Sequence, residues 1–476
     1  MNEEVELKLE LSPDAATFLE ASSLLSGPMT KVDQRAVYFD TPDRTLLRHG
    51  VSLRIRQTGR KRIQTVKSNG GGHGGLISRR EWEQPVSSDI PVCTPGTPLE
   101  PLLGEYMTGI SPQFAVRIDR RSWMLMEQGS QIELALDRGA AIAGDRRTEI
   151  CEVELELKSG DRAALFALAR KIDAIVPVRP AMLSKCERGY LLLDAARKGY
   201  KAEPVELTGD LSAAAAFRSI AHNCLRHYRL NESLLLESRD VDALHQARVA
   251  IRRLRSALSI FRTTLIDAPT MQWSTELRWL ARVMGTARDL DVLLERPAET
   301  MQHRLEAARD EAYSHVEAAL TSERVRALVQ DMVQWLAIPP TASEVAVIPL
   351  ATAALHRLRR RVKKRGRHLD RLDDETRHTV RKDAKKLRYA AEFFGSLYVR
   401  KRQVRRRRDF LAALERLQSK LGAINDLVSG PDILRQVGIL GDSAPTALVP
   451  TDRKLKLLAA AARSHADLVK AGKFWR

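Results

Sequence analysis

Residues 4–11 read Glu4-Val5-Glu6-Leu7-Lys8-Leu9-Glu10-Leu11, a strict alternation of charged and apolar side chains. A period of two is that of an extended strand. Glu4, Glu6, Lys8 and Glu10 therefore share one face, and Val5, Leu7, Leu9 and Leu11 the other. Residues 152–158 (Glu152-Val153-Glu154-Leu155-Glu156-Leu157-Lys158) repeat the pattern. Neighbouring carboxylates on one strand face repel each other, so something positive has to lie among them: a metal ion, or basic side chains from other strands. Basic strands do lie between the two acidic ones. In Val51 to Arg56, Arg54 and Arg56 oppose Val51, Leu53 and Ile55; Ile63 to Lys67 ends on a lysine; Arg79, Glu81 and Glu83 alternate on the next stretch. An open sheet would leave these charges in water. A closed barrel with charged faces inward would make a lumen where carboxylates and cations neutralise each other, the apolar outside being covered by helices.

Composition divides the chain. The formal net charge is +18 over 476 residues, but residues 1–200 carry 28 Lys/Arg against 27 Asp/Glu, while residues 201–476 carry 50 against 33. A polyanion-binding role therefore belongs mainly to the second part. Cys93, Cys151, Cys186 and Cys224 are scattered without a CxxC pair, which argues against a zinc site or disulfide framework and suits a reducing cytoplasm. The acidic start is unlike a secretory signal, and no apolar run reaches membrane-spanning length. Asn69 to Gly75 (NGGGHGG) lacks the GxxxxGK[ST] spacing of a phosphate loop; it reads as a flexible hairpin connection with His73 in solvent. Ser12-Pro13 predicts a helix start, with the helix running to about Leu25 and Gly27-Pro28 ending it.

The Glu4-x-Glu6-x-Lys8 strand resembles the hallmark of the CYTH, or triphosphate tunnel metalloenzyme, domain. Further resemblance lies in Tyr38-Phe39-Asp40-Thr41-Pro42-Asp43, Gly50 to Arg56, Arg79 to Glu83, Leu136-Asp137-Arg138-Gly139, Glu152-Val153-Glu154 and Ser184 to Tyr190. It covers roughly residues 1–195. The resemblance implies an eight-stranded antiparallel tunnel that binds triphosphate with divalent metal. By resemblance, Lys8, Arg54, Arg56, Lys67, Arg120 and Lys185 line the phosphate path; Arg117 and Arg121 remain alternatives to Arg120. Glu4, Glu6, Asp137, Glu152 and Glu154 are hard oxygen ligands suited to Mg²⁺ or Mn²⁺.

Gly199 to Gly209 breaks the strand pattern, so one domain is placed at 1–200 and a second at 210–476. From Leu211 the chain reads as helix, interrupted around Ile338-Pro339-Pro340 to Pro349, which gives halves at about 211–337 and 350–470. The halves look duplicated. His245 is followed by Arg248, Arg252, Arg253 and Arg255; His378 is followed at the same offsets by Arg381, Lys385, Lys386 and Arg388, with Lys382 alongside. On a helix, offsets 0, 3, 7 and 10 fall within an arc of about 80°. Downstream, Gly285-Thr-Ala-Arg288-Asp289-Leu290 parallels Gly422-Ala-Ile-Asn425-Asp426-Leu427. This part resembles the CHAD domain over roughly 212–470, which implies two pseudo-symmetric helical bundles whose basic surface binds inorganic polyphosphate.

The expectation is thus an α+β chain of two domains: a metal-dependent inorganic triphosphatase tunnel followed by an all-α, polyphosphate-binding module. The competing readings are a polyphosphate-binding scaffold with little catalysis and a tunnel enzyme acting on a nucleotide or thiamine triphosphate. Scarce aromatics disfavour nucleic acid. The expected location is the cytoplasm, with attachment to polyphosphate granules as a further expectation.

Overall fold

The computed structural model of the protein describes residues 3–68, 76–93, 95–103, 109–265, 268–295, 301–338, 345–440 and 451–476. The side chain of Glu4, the glycine-rich stretch 69–75 with His73, and the side chain of Arg79 lie outside the described residues. Two compact units form: Met1–Arg197 together with Ser322–Pro340, and Lys198–Thr321 together with Thr341–Arg476.

The first unit opens with β1 (Glu3–Glu10), α1 (Pro13–Glu20), β2 (Met29–Asp40), α2 (Thr45–Arg48), β3 (Val51–Thr58), β4 (Lys61–Ser68), β5 (Leu76–Pro85) and α3 (Leu99–Leu103). It continues through β6 (Ser111–Glu127), β7 (Ser130–Ala143), β8 (Arg146–Ser159), α4 (Ala163–Ile175), β9 (Arg179–Pro180) and α5 (Lys185–Leu193). Ser12 caps α1 as its sequence predicts, but α1 stops at Glu20, and one 3₁₀ turn at Ser23–Leu25 completes the path.

The strands run β5-β4-β3-β2-β6-β7-β8-β1-β9, all antiparallel neighbours, and β1 also pairs with β5 through Glu4↔Arg79 and Glu6↔Ile77. Eight strands thereby form a cycle of pairings, with the two-residue β9 added on β1 at Leu9 and Glu10. Period-two alternation then decides which side chains face in. Outside, Phe39, Leu53, Ile55 and Val66 pack with Leu46 of α2 and with Leu99 and Leu103 of α3. Inside, one end is filled: Phe114 stacks on Tyr38 and meets Tyr190 of α5 edge-on, within a cluster that includes Ala36, Val116, Ile118 and Ile150. Gly189 of α5 is required by this contact, since a Cβ there would lie 2.0 Å from a Phe114 ring carbon.

The second unit is helical: α6 (Ala213–Ser238), α7 (Val241–Ile260), α8 (Ala268–Leu294) and α9 (Gln302–Thr321). The next helix, α10 (Glu323–Ala337), belongs to the first unit, where Arg326 Nε donates to Asp173 of α4 at 2.7 Å. The helical unit then resumes with α11 (Val347–Arg365), α12 (Asp374–Phe393), α13 (Lys401–Gln436) and α14 (Thr451–Lys470). No helix among the described residues is long and apolar enough to cross a membrane.

Candidate active site

Strand register assembles the charge. Asp137 of β7 sits opposite both Arg120 of β6 and Glu152 of β8, and Glu154 sits opposite Lys8 of β1. Of these, Lys8, Arg120 and Glu154 border a lumen cavity of about 580 Å³. Asp137, Glu152 and Glu154 are buried, and each presents an oxygen within 4.8 Å of the others. Arg120 reaches Asp137 with Nε at 2.7 Å and a terminal nitrogen at 2.6 Å, and also bonds Glu154. Lys8 bonds Glu154 and lies 3.4 Å from Glu6. Lys185, first residue of α5, places its Nζ 2.6 Å from Asp137, 2.5 Å from Glu152 and 2.9 Å from Glu154. The Ser184–Glu187 capping box fixes the start of that helix.

Electrostatics follow from this packing. Burial alone would push the Glu154 carboxyl up, but Lys185, Lys8 and Arg120 together hold it well below the usual carboxylate range. Burial would likewise discharge Lys185, yet Asp137, Glu152 and Glu154 keep its ammonium well above the ordinary lysine value. Glu152 Oε2 has no hydrogen-bond partner, with an Arg188 nitrogen 4.0 Å away. An orphaned, buried carboxylate oxygen beside two more carboxylates is a donor set that fits a hard divalent cation.

The opposite wall is cationic. Arg54, Arg56 and Lys67 line the lumen with Lys61, and Glu81 and Glu83 answer them: Lys67 to Glu81 at 3.1 Å, Arg54 to Glu81 at 3.9 Å, Arg56 to Glu83 at 3.1 Å. Burial opposes the charge on Arg54, but Tyr38, Glu81 and Glu83 more than offset it. An acidic cluster and a row of cations thus meet at one lumen.

In the helical unit, α7, α8, α12 and α13 enclose a second cavity of about 630 Å³. His245, Arg248, Arg252 and Arg288 line it from the first repeat; His378, Arg381, Lys385 and Asn425 line it from the second. His378 Nδ1 is 2.7 Å from Asn425 Oδ1. Arg248 donates to the Gly285 carbonyl at 2.8 Å and lies 3.6 Å from Asp289. Crowded cations depress one another: burial, then Arg381, Arg252 and Arg248, bring Lys385 down to about 7, and burial with Arg288 brings His245 to about 4.

Residues 2–190 match the CYTH domain model and residues 219–435 the CHAD domain model. The chain is a CYTH domain followed by a CHAD domain. Over 203 residues it is 33% identical to an inorganic triphosphatase of Haemophilus influenzae, a match covering 40% of this chain and 55% of that protein. The chain thus spans about half that relative's length. It is 26% identical over 445 residues to an uncharacterized protein of Mycobacterium tuberculosis, covering 83% of this chain and 82% of that one. The crystal structure of the CHAD domain from Ricinus communis aligns at 28% identity with a TM-score of 0.49, over 58% of this chain and 97% of that one.

In the CYTH domain, Glu6, Lys8, Arg54, Arg56, Lys67, Arg120, Glu154 and Lys185 border the lumen, and Asp137 and Glu152 lie behind Arg120 and Lys185. Of the three arginines near Trp123, Arg120 enters; Arg121 turns outward to Glu20, and Arg117 lines a groove outside. Glu10 is held by Arg188 rather than facing the cavity. In the CHAD domain, the histidines come together with Arg248, Arg252, Arg381 and Lys385. The remaining basic residues lie elsewhere. Arg253 is buried, bonds Glu392 and stacks 4.9 Å above the Phe393 ring. Arg388 also pairs with Glu392 at 3.0 Å, Lys386 donates to Ser259, and Arg255 and Lys382 are not among the lining residues.

Residue typing missed Tyr38, Lys61 and Glu133 in the first cavity, and Arg288, Asp289, Arg377, Asn425 and Asp426 in the second. For the second group a signal existed: the duplicated Gly285 and Gly422 stretches carry four of the five.

Proposed function

We propose that the CYTH domain hydrolyses inorganic triphosphate to pyrophosphate and phosphate with a divalent metal, Mg²⁺ or Mn²⁺, and that the CHAD domain binds inorganic polyphosphate. The observation that carries the first part is the charge gathered around one lumen: Glu154 borders it with Asp137 and Glu152 clustered behind, and Arg54, Arg56 and Lys67 line it too. The Haemophilus relative, an inorganic triphosphatase, supports the same reading. Asp137, Glu152 and Glu154 would hold the metal, and Glu6 borders the same space. When bound, it would neutralise phosphate charge and polarise the transferred phosphoryl group. Arg54 and Arg56 offer permanently charged, fork-shaped donors that match phosphate oxygens. With Lys67 and Lys8 they orient the chain for in-line attack by water and stabilise charge on the leaving pyrophosphate. Attack by water forms one P–O bond and breaks the terminal phosphoanhydride, the water's protons passing to solvent.

Phosphate release from triphosphate, ATP and thiamine triphosphate, each with Mg²⁺ and with Mn²⁺, tests the substrate. Triphosphate is expected to turn over fastest; preference for either organic substrate would reassign the lumen. Retention of polyphosphate by the intact protein, and its loss in the His378→Ala, Arg381→Ala double variant, tests the second part. Unchanged retention would move the polyanion site elsewhere. Binding that weakens cooperatively with salt is expected, since several ammonium and guanidinium groups would meet one polyanion.

A further inference from the structure

We propose that Lys185 is a built-in competitor for the carboxylate triad, so that a divalent ion can enter only as the lysine ammonium swings out into the lumen. This rests on the metal-dependent reading above. The ammonium has three N–H donors, and it meets one oxygen from each of three carboxylates at 2.6, 2.5 and 2.9 Å. Those are hydrogen-bond distances, longer than the about 2.0–2.1 Å that Mg²⁺ demands. An ion drawing the same oxygens inward would lie within about 3 Å of the ammonium, where like charges repel strongly at any realistic protein dielectric. Ammonium and ion therefore exclude each other.

The lysine has somewhere to go. Its backbone is pinned by the capping box at the start of α5, but four rotatable carbons separate that backbone from the charge. Lys185 and its neighbours Ser184 and Cys186 border the lumen cavity. Glu154 keeps Lys8 and Arg120 when Lys185 leaves, so the triad stays partly balanced. The consequence is a coupling: a loaded metal brings its own charge to the lumen and also releases one more cation to face the phosphates. Metal and polyanion then bind with positive cooperativity, each raising the affinity of the other.

Two measurements on the full chain test this without an activity readout. In calorimetric titration with Mn²⁺ alone, Lys185→Met is expected to bind about tenfold or more tightly than the unaltered protein. Equal or weaker binding by a variant with a native melting profile would overturn the proposal, making Lys185 a permanent structural partner of the triad. The second measurement needs no variant, so it decides the matter should Lys185→Met fail to fold. Amine acetylation of the unaltered protein, mapped by mass spectrometry, should modify Lys185 slowly without metal and faster with saturating Mg²⁺. A Lys185 rate unchanged by an ion that calorimetry shows to be bound contradicts displacement. If the unaltered protein and the variant both fail to bind metal, the metal-dependent reading falls, and this inference with it.

Discussion

Glu154 is where most charge converges: Lys8, Lys185 and Arg120 all reach its carboxylate inside the lumen. Glu154→Gln removes a carboxylate charge from the proposed metal site and leaves three cations under-compensated, so triphosphate turnover should fall by on the order of a hundredfold or more. Glu10→Gln, on the neighbouring β1 and tied to Arg188 away from the cavity, should be far milder; equal losses in a phosphate-release assay would remove the distinction between the two positions. Lys385 gives a pH dependence in the CHAD domain. With its free value pressed to about 7, it is charged below that pH and increasingly neutral above it. A polyanion favours the charged form, so polyphosphate affinity should drop as pH rises through 7, with proton uptake on binding at pH 8. Calorimetry in buffers of differing ionisation heat reads that uptake, and Lys385→Met should abolish it. These placements were only half legible in the sequence. Alternation put Glu6 and Lys8 on one face because strand period is local. Nothing local says that Lys185, 31 residues from Glu154, drops its ammonium between three carboxylates, since that depends on α5 entering the barrel.

At the scale of elements, two contacts beyond the Lys185 and Arg188 ion pairs seat α5 against the sheet. Asp40, fully buried, accepts from the Tyr190 hydroxyl at 2.6 Å and from the backbone of Thr41, Leu46 and Leu47 at 2.8, 2.9 and 3.1 Å. Gly189 lets Phe114 approach. Gly189→Ala forces a methyl into that ring and should cost about 1–3 kcal/mol by overpacking, read as a lower melting temperature of the first unit. An unchanged melt would mean that α5 is not seated against Phe114. The helix at 323–337 shows the limit of periodicity from the other side. Its sequence marks a helix and assigns it to the first helical half by position alone. Its apolar face carries no label for the surface it covers, and it packs in the CYTH unit, with Arg170 of α4 donating to Asp331 at 2.9 Å.

For the whole molecule, this means that the CYTH unit is assembled from two separated stretches of chain. A protein ending after Arg197 would lack α10 and leave Asp173 without Arg326, a pair with both side chains about one-tenth exposed. Breaking such a pair costs up to about 3 kcal/mol, so the fragment should melt below the same unit in the full chain; equal melting would make α10 dispensable. The two-part layout itself was readable early, because the jump in basic charge and the change from period two to helical period coincide near residue 200. The central claim concerns the lumen, and the most direct measurement is phosphate release from inorganic triphosphate by the full chain, with Mg²⁺ or Mn²⁺ and with chelator, beside Glu154→Gln. Release that requires the metal and collapses in the variant is the predicted result; no release with either metal, or equal release by the variant, would contradict the account.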